Sequence, residues 1–469
     1  MNKQRKKHGN VLFLNPQRFA LLKAILLIAV PVALQTIISV GINMVDTLMV
    51  GALGETQLTA VSQASQLFFI FQLTLFGTTG GANVLIAQYW GKQDGEAIRS
   101  VIGYTFRVML SAAAVLVAIA ALFPREVMTL LSNNPEVIAV GTQYLRIVSV
   151  SYLFFGITTV LGNTLRAVGD VNVAMGASLA SIGASVIFNW LFVFGNLGAP
   201  ACGVVGSALA NILARMLECA ILIVYSLGFE KKIRFRFSWI LHPQKVLWPS
   251  FVKNCAPVVA NELTWVLGSS VLTMISGHMA FAFATAYAIF NVVAQISCAL
   301  SQGISAAASV VVGNLIGEGK QAELDQPIRL LQRVGAVSGT LACLFILAII
   351  PLMPKFYNIT PETFGVLVQI MAVGALIEIF RCMGFVNNVG ILRGGGDARF
   401  VFFNDVFYLW VFCIPVGWWC SQQAGMPVFM TFFILRCDDV IKAFVGDWRI
   451  HHGQWIHQVT VQELSLIHI

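Results

Sequence analysis

The sequence predicts an all-α integral membrane protein, with twelve transmembrane helices forming two six-helix bundles related by a parallel internal repeat. Three observations carry that prediction. The first is composition. Of 469 residues, 58% are hydrophobic and only 11% are charged, whereas a soluble domain is about 25% charged. The second is run length. Long apolar stretches recur along the chain, each reaching the length of about 20 residues that lets a helix cross a bilayer. Closed β-barrels alternate over short segments and give no such runs. The third is self-similarity. Gly77-Thr-Thr-Gly-Gly-Ala-Asn-Val-Leu-Ile-Ala-Gln-Tyr-Trp-Gly91 and Gly303-Ile-Ser-Ala-Ala-Ala-Ser-Val-Val-Val-Gly-Asn-Leu-Ile-Gly317 share their bounding glycines, and both lead into a short polar loop. The same offset of 226 carries Pro31 to Pro257 and Gly51 to Gly277. An offset of 227 carries Leu165, Arg166 and Asp170 to Leu392, Arg393 and Asp397. With six spans per repeat, both halves point the same way through the membrane, and the pseudo-twofold axis runs along its normal.

The elements follow in order. Residues 1–18 are a basic segment, with Lys3, Arg5, Lys6 and Lys7. The apolar run that starts near Phe19 lacks a small-residue cleavage site and is too long for a signal-peptide core, so it reads as an uncleaved first span. The spans lie at 20–50, 58–88, 101–123, 137–160, 172–195 and 204–228 in an N-lobe of residues 19–228. They lie at 250–275, 284–312, 328–351, 363–390, 399–420 and 427–446 in a C-lobe of residues 250–447. Residues 229–249 join the lobes as a basic, aromatic linker (Lys231, Lys232, Arg234, Arg236, Trp239, Lys245, Trp248), and residues 448–469 form a tail.

Charge orients this frame. Loops after even-numbered spans carry Lys92, Arg99, Arg166, the linker cluster, Lys320, Arg329, Arg393 and Arg399; loops after odd-numbered spans carry only Arg125 and Lys355. The positive-inside rule then places both termini in the cytoplasm of a bacterial inner membrane. The net charge of +8 comes from these loops. No compact basic domain holds it, which excludes nucleic acid as a partner. The linker can touch anionic lipid headgroups, and an orientation signal is the simpler account of its charge.

Several chemistries drop out. The nine cysteines are scattered with no Cys-x-x-Cys, so neither a disulfide framework nor a zinc site is indicated. None of the seven histidines sits in His-Glu-x-x-His. Gly394-Gly395-Gly396-Asp397 lacks the Lys-Ser/Thr of a phosphate loop. It reads as a tight turn, with Asp170 or Asp397 capping the following helix and Arg166 or Arg393 anchoring at the headgroups. Asp438-Asp439, beside Arg436 and Lys442, reads as a local salt-bridge cluster. No enzyme, cofactor or resident metal is expected.

Carboxylates inside spans are costly and mark function by default. Five qualify: Asp46, Glu218, Glu262, Glu378 and Asp405. Glu218 follows Arg215 by three residues and Glu378 precedes Arg381 by three, so each can form an ion pair on one helical face. Asp405 divides evenly between a hydrogen bond inside its lobe and a functional role. Asp46 and Glu262 have no basic residue within four positions. Asn43, Asp46 and Thr47 share one face, where a carboxylate could exchange a proton or help hold Na⁺ with oxygen ligands. At an offset of 226, Asp46 corresponds to Leu272 and Glu262 to Thr36, so the lobes differ chemically. That difference suggests an ion site in the first lobe and a different polar site in the second.

Val45-Asp46-Thr47-Leu-Met-Val-Gly51 with Leu53-Gly54 and Leu58-Thr-Ala60 resembles the first-helix signature of the multidrug and toxic compound extrusion (MATE) family. The Gly77–Gly91 segment, Leu165-Arg-Ala-Val-Gly-Asp170, Gly203-Val-Val-Gly-Ser-Ala208, Gly313-Asn-Leu-Ile-Gly317 and Leu392-Arg-Gly-Gly-Gly-Asp397 fit the same family in order. The resemblance covers about residues 15–447. It implies a V-shaped pair of bundles that exchange organic cations for H⁺ or Na⁺. In one branch of the family an Asn and an Asp, four apart on the fifth helix, complete the first-lobe ion site. Ser185 and Asn189 stand at those positions here, which leaves Asp46 as the only first-lobe carboxylate of that set. Another branch uses a Glu on helix seven and an Asp on helix ten. Glu262 and Glu378 stand on those helices, each about a turn out of register.

The expected substrate site is the cleft between the lobes. A cationic amphiphile there would meet Glu262, Asp405 and an aromatic wall that includes Phe69, Tyr287 and Phe290, since aromatic faces attract cations. The expected function is antiport of small cationic amphiphiles by a monomer in contact with membrane lipids, a route to antibiotic resistance. The alternative is a flippase of lipid-linked saccharide, or a metabolite exporter of the same superfamily. A flippase would favour a cleft lined with Arg or Lys, and the cleft-facing spans are poor in both.

Overall fold

The computed structural model describes residues 16–198, 200–230, 236, 238–241, 243–357, 359–422 and 426–460. Residues 1–15, the linker cations Lys231, Lys232 and Arg234, and residues 461–469 lie outside them. Among the described residues twelve helical spans follow one another. The first half holds α1 (Pro16–Gly51), α2 (Glu55–Gly91), α3 (Gly95–Leu122), α4, α5 (Val171–Phe194) and α6 (Gly203–Phe229). The second holds α7 (Trp248–Gly277), α8, α9 (Asp325–Ile349), α10 (Pro361–Leu392), α11 (Ala398–Ser421) and α12 (Val428–His452). α4 is bent by 48° between Pro135–Val148 and Ser151–Ala167, and α8 is broken between Phe281–Ser297 and Ala299–Gly317. Among the described residues ten stretches are long and apolar enough on their own to cross a membrane, and the bent α4 makes an eleventh. α12 takes the twelfth place by order and length. It fails on composition because Arg436, Asp438, Asp439 and Lys442 sit in it.

Local chemistry starts several of these helices. Asp94 caps α3 by accepting from the Ala97 amide at 2.9 Å, and Asn134 caps α4 by accepting from Glu136 at 2.9 Å with Pro135 at the first helical position. Thr360 caps α10 ahead of Pro361, accepting from Thr363 at 3.3 Å. The two repeated turns are built alike. Gly169 (φ 85°) and Gly396 (φ 87°) take the left-handed conformation that lets the Asp170 and Asp397 amides bond back to the Leu165 and Leu392 carbonyls, at 2.8 and 3.0 Å. The expected tight turn is there, but the expected cap is not. Neither aspartate side chain caps the next helix, and Asp397 instead pairs with Arg449 at 2.9 Å.

The repeated glycine segments form the seam between the lobes. An added Cβ at Gly91 would overlap the Asn314 carbonyl oxygen, and one at Gly317 would overlap that of Gln88. These two contacts exchange under the repeat offset of 226. Further along, Gly77 lies against the backbone of Val259 on α7, and Gly303 against that of Ala29 on α1. Small residues let helices approach to backbone contact in lipid, where apolar burial gives no drive between helices. The seam therefore runs along the second halves of α2 and α8. Their C-terminal end is called the sealed end below.

The tail crosses the sealed end. After α12, residues 453–460 run without helix. The Gln88 side chain, fully buried, donates to the His457 carbonyl (3.2 Å) and accepts from the Val459 amide (2.9 Å). Ser250 of α7 donates to the Val459 carbonyl at 2.9 Å, and the His457 amide donates to Gly395 at 2.7 Å. Trp455 is buried against Gly395.

Candidate functional site

A sizeable polar space lies within the first bundle. It is a cavity of about 440 Å³ lined by α1, α2, α4, α5 and α6, with Gln295 and Gln302 reaching in from α8. Its surface is unusually polar for a membrane interior, with four charged side chains: Asp46, Glu218, Arg166 and Arg215.

Asp46 enters from α1 and meets α5. Asn189 donates its Nδ2 to the carboxylate at 2.9 Å, and Ser185, one turn earlier, lies 3.4 Å from the same Nδ2. Asp46, Ser185 and Asn189 are thus brought together as expected. The side chain of Asn43 lies outside those described. Asn189 keeps its Oδ1 buried with no donor among the described residues, which is an unmet acceptor beside a carboxylate.

The rest of the cavity is joined by a relay. Arg215 and Glu218 form the expected ion pair at 3.0 Å, and Arg215 also lies over the Phe155 ring at 4.8 Å. Ser178 donates to Glu218 at 2.7 Å, Gln35 donates to Ser178 at 2.6 Å, and Arg166 donates to Gln35 at 3.0 Å. Arg166 also donates to Asn163 at 3.1 Å. The sequence placed Arg166 at the headgroups. The turn at Gly169 directs it into the bundle instead.

In the second lobe several of the expected residues meet other partners. Glu262 does not stand unpaired: Arg393, expected at the membrane surface, is buried and pairs with it at 3.0 Å. This pair repeats the Arg166–Gln35 contact at an offset of 227, so the counterpart of Glu262 is Gln35 rather than Thr36. Asp405 is held inside the lobe, accepting from Asn261 at 2.9 Å and lying 3.4 Å from Lys442. Tyr287 and Phe290 are 3% and 2% exposed, and pack edge-on against Phe432 in the core of the second bundle. They do not form a cleft wall. Phe69 is 40% exposed and does not line the cavity, where Phe68, Phe76 and Phe155 supply the aromatic surface. Glu378–Arg381 (3.3 Å), Asp438–Lys442 (2.9 Å) and Asp439–Arg436 (3.7 Å) form the expected local ion pairs. A smaller space of about 130 Å³ lies among Glu262, Arg381, Arg393, Asp405, Asp439 and Lys442.

Comparison with known proteins gives the same frame. The MatE family model matches twice, over residues 31–191 and 257–419. The two matches start at Pro31 and Pro257, the prolines that the internal repeat relates. The chain is 24% identical to the Multidrug resistance protein NorM of Vibrio vulnificus (strain YJ016) over 448 residues, covering 92% of this chain and 94% of that protein. It is 22% identical to the Probable multidrug resistance protein NorM of Photorhabdus laumondii over 420 residues, covering 86% and 90%. Among solved structures, the outward-facing conformation of a multidrug resistance MATE family transporter of the MOP superfamily superposes with a TM-score of 0.83. It shares 16% identity, and the match covers 92% of this chain and 96% of that one. A crystal structure of MATE in complex with MaL6 gives the same TM-score, identity and coverage.

Proposed function

The chain belongs to the MatE family, and from that premise we propose that it is a secondary antiporter that exports organic cations in exchange for H⁺ or Na⁺. The observation that carries this reading is Asp46. It is a carboxylate in a polar cavity, held by an amide and with no cation in ion-pair contact among the described residues. A group of that kind can gain a proton, or share Na⁺ with neighbouring oxygens, at modest cost.

Asn189 supplies a switch. With Asp46 ionised, its Nδ2 faces the carboxylate. With Asp46 protonated, the amide can turn so that its now idle Oδ1 accepts the new O–H. With Na⁺ bound, the same oxygen can face the ion. Either event relocates the α1–α5 contact. An ion drives the exchange only through such a difference between states.

In the proposed cycle the ion enters at Asp46 and removes the charge that held a cationic drug, and the drug leaves outward. The two lobes, residues 19–228 and 250–447 joined by 229–249, then rock about the glycine seam of α2 and α8. The sealed end opens, the ion leaves inward and drug reloads. Both termini lie in the cytoplasm, and the protein works as a monomer in the bacterial inner membrane, as a carrier and not an enzyme. A second reading, export of an acidic molecule by a flippase or metabolite exporter, gains support from Arg166 and Arg215, since the first-lobe cavity is not poor in arginine.

Ethidium transport by reconstituted vesicles tests the antiport reading, first under an imposed pH gradient and then under a Na⁺ gradient. Uphill movement with one gradient, lost in Asp46→Asn, is the expected result. Transport by Asp46→Asn at the wild-type rate would move the coupling role elsewhere.

A further inference from the structure

The cavity of the first bundle meets the second bundle at two points. Among the described residues, Gln295 and Gln302 of α8 are the only second-bundle residues that line it. They are seven positions apart. Helical hydrogen bonds carry across Cys298 between them, the Cys298 amide donating to Ala294 at 3.1 Å and the Gln302 amide to Cys298 at 3.0 Å. Both side chains therefore share one face of α8, roughly 10 Å apart at about 1.5 Å per residue. The cavity's charged groups are answered within it. Arg215 pairs with Glu218, the relay through Ser178 and Gln35 joins Glu218 to Arg166, and Asp46 feels Arg215 and is held by Asn189. The two glutamines are less committed. Gln295 has no side-chain hydrogen bond to another described residue, and Gln302 donates to the Cys298 sulfur, a weak acceptor, at 3.2 Å.

A polar side chain in a membrane span is costly unless it serves a partner or a cavity. The repeat shows that the frame itself needs no amide here: at the offset of 226, Gln295 corresponds to Phe69 and Gln302 to Phe76 on α2. Their place in the lobes gives these amides a specific use. Cargo held by the first bundle moves with that bundle, and its contacts there are the same before and after the lobes rock. A ligand shifts an equilibrium only through interactions that differ between the states. Of the residues lining the cavity, Gln295 and Gln302 alone change position relative to the cargo. With the first-bundle cavity taken as the cargo site of the antiport reading, we propose that these two glutamines are specificity-determining and cargo-sensing residues. They hydrogen-bond the uncharged polar groups of a cationic cargo (carboxamide, carbonyl or hydroxyl) and tie its presence to the seam that α8 forms with α2. Cargo with such a group stabilises the sealed arrangement. Cargo without one binds but leaves the lobes as they were.

A matched pair of cations tests this. Tetraphenylphosphonium has no hydrogen-bonding group, and its (4-carbamoylphenyl)triphenylphosphonium analogue adds one carboxamide at the same charge. Binding to the purified full chain in detergent is read by titration calorimetry, and the seam by hydrogen exchange across Gly303–Gly317. The wild type should bind the carbamoyl cation about five-fold more tightly, the contribution of one hydrogen bond. At saturation that cation should slow exchange in the seam, and tetraphenylphosphonium should not. Gln295→Leu combined with Gln302→Leu should abolish both the preference and the slowing. It should leave tetraphenylphosphonium affinity within about two-fold, because no hydrogen bond to that ligand is lost. The paired alanine substitutions serve if the leucines do not fold. Gln72→Leu is the positional control, since Gln72 lines the same cavity from α2; at saturation the slowing should persist. A wild type that does not distinguish the two cations, a preference that survives the double substitution, or slowing lost equally in Gln72→Leu would overturn the proposal. The binding assay uses no gradient, so it separates the two readings. A protein that shows this preference and slowing yet moves neither cation under a pH or Na⁺ gradient sinks the antiport reading alone. One that drives both cations uphill equally well before and after the double substitution sinks this proposal alone.

Discussion

Substituting Gly317 by alanine asks whether the seam between the lobes holds the conformation seen here. An added Cβ would sit 2.8 Å from the carbonyl carbon of Gln88 and 3.0 Å from its Cα, besides overlapping the carbonyl oxygen. Carbon atoms pack best at about 3.5–4.0 Å, so α8 and α2 must part by roughly 0.5–1 Å at a point where both surfaces are backbone and neither can turn aside. Overpacking of this kind costs about 1–3 kcal/mol. The gain in helix propensity, ~1 kcal/mol, applies equally whether the seam is closed or parted, so it cancels. The equilibrium should shift away from the sealed state by about 5- to 150-fold. Spin labels at Lys92 and Gln321, both exposed in the loops beyond the two seam helices, report this as a distance distribution by pulsed electron resonance. Gly183→Ala is the control, since nothing lies within 4 Å of its added Cβ. The wild type and the control should give a short, narrow distance, and Gly317→Ala a longer population. A folded Gly317→Ala protein with the control's distribution would show that the seam does not set the state.

Other outcomes follow from the same geometry. Asp46→Asn should fold, bind a cationic drug more weakly and lose coupling, read as equilibrium binding alongside gradient-driven uptake; Ser185→Ala and Asn189→Ala should reduce coupling less. Arg393→Ala strands Glu262 and should cost about 3 kcal/mol, whereas Glu262→Gln recreates the Arg166–Gln35 contact and should cost about 1 kcal/mol, both checked by thermal unfolding in detergent. No loss from either substitution would contradict the pairing. Removing residues 453–460 should speed hydrogen exchange in the last turns of α2 around Gln88; unchanged protection would mean the tail adds nothing there. Protease should cut between residues 229 and 249 only from the cytoplasmic face, and cleavage of intact spheroplasts from outside would invert the topology.

The sequence made legible whatever depends on spacing within one helix or on the repeat. Run length gave twelve spans, three-residue spacing gave the Arg215–Glu218 and Glu378–Arg381 pairs, and the offset of 226 marked Gly91 and Gly317 as partners in one device. Asp46 stood out because an unpaired carboxylate in a span needs a reason. Contacts between distant helices were hidden. Arg393 ends α10 and Glu262 lies in α7, and nothing in either segment says that the turn at Gly396 directs the arginine inward. A difference of one position between the two repeat offsets was enough to assign Thr36 where Gln35 belongs. Tyr287 and Phe290 failed for another reason. In a membrane helix the core face and the lipid face are both apolar, so composition cannot say which way an aromatic ring points. The cavity's amides and hydroxyls, Gln72, Ser178, Gln295 and Gln302 among them, carry no charge and break no pattern, so only their convergence reveals them.

The helix-free tail has a consequence for biogenesis. Gln88 is synthesised early, yet its hydrogen-bond partners, the backbones of His457 and Val459, stand near the far end of the chain. Until residues 453–460 have left the ribosome, every span can be inserted while this buried amide still lacks its partners. The first bundle can therefore pack early, but its junction with the second remains incomplete at the sealed end. The nascent protein would then pass through an interval in which all twelve helices are in place but the closure between the halves is not. That interval is where a chaperone or a quality-control protease would find an unfinished surface to recognise.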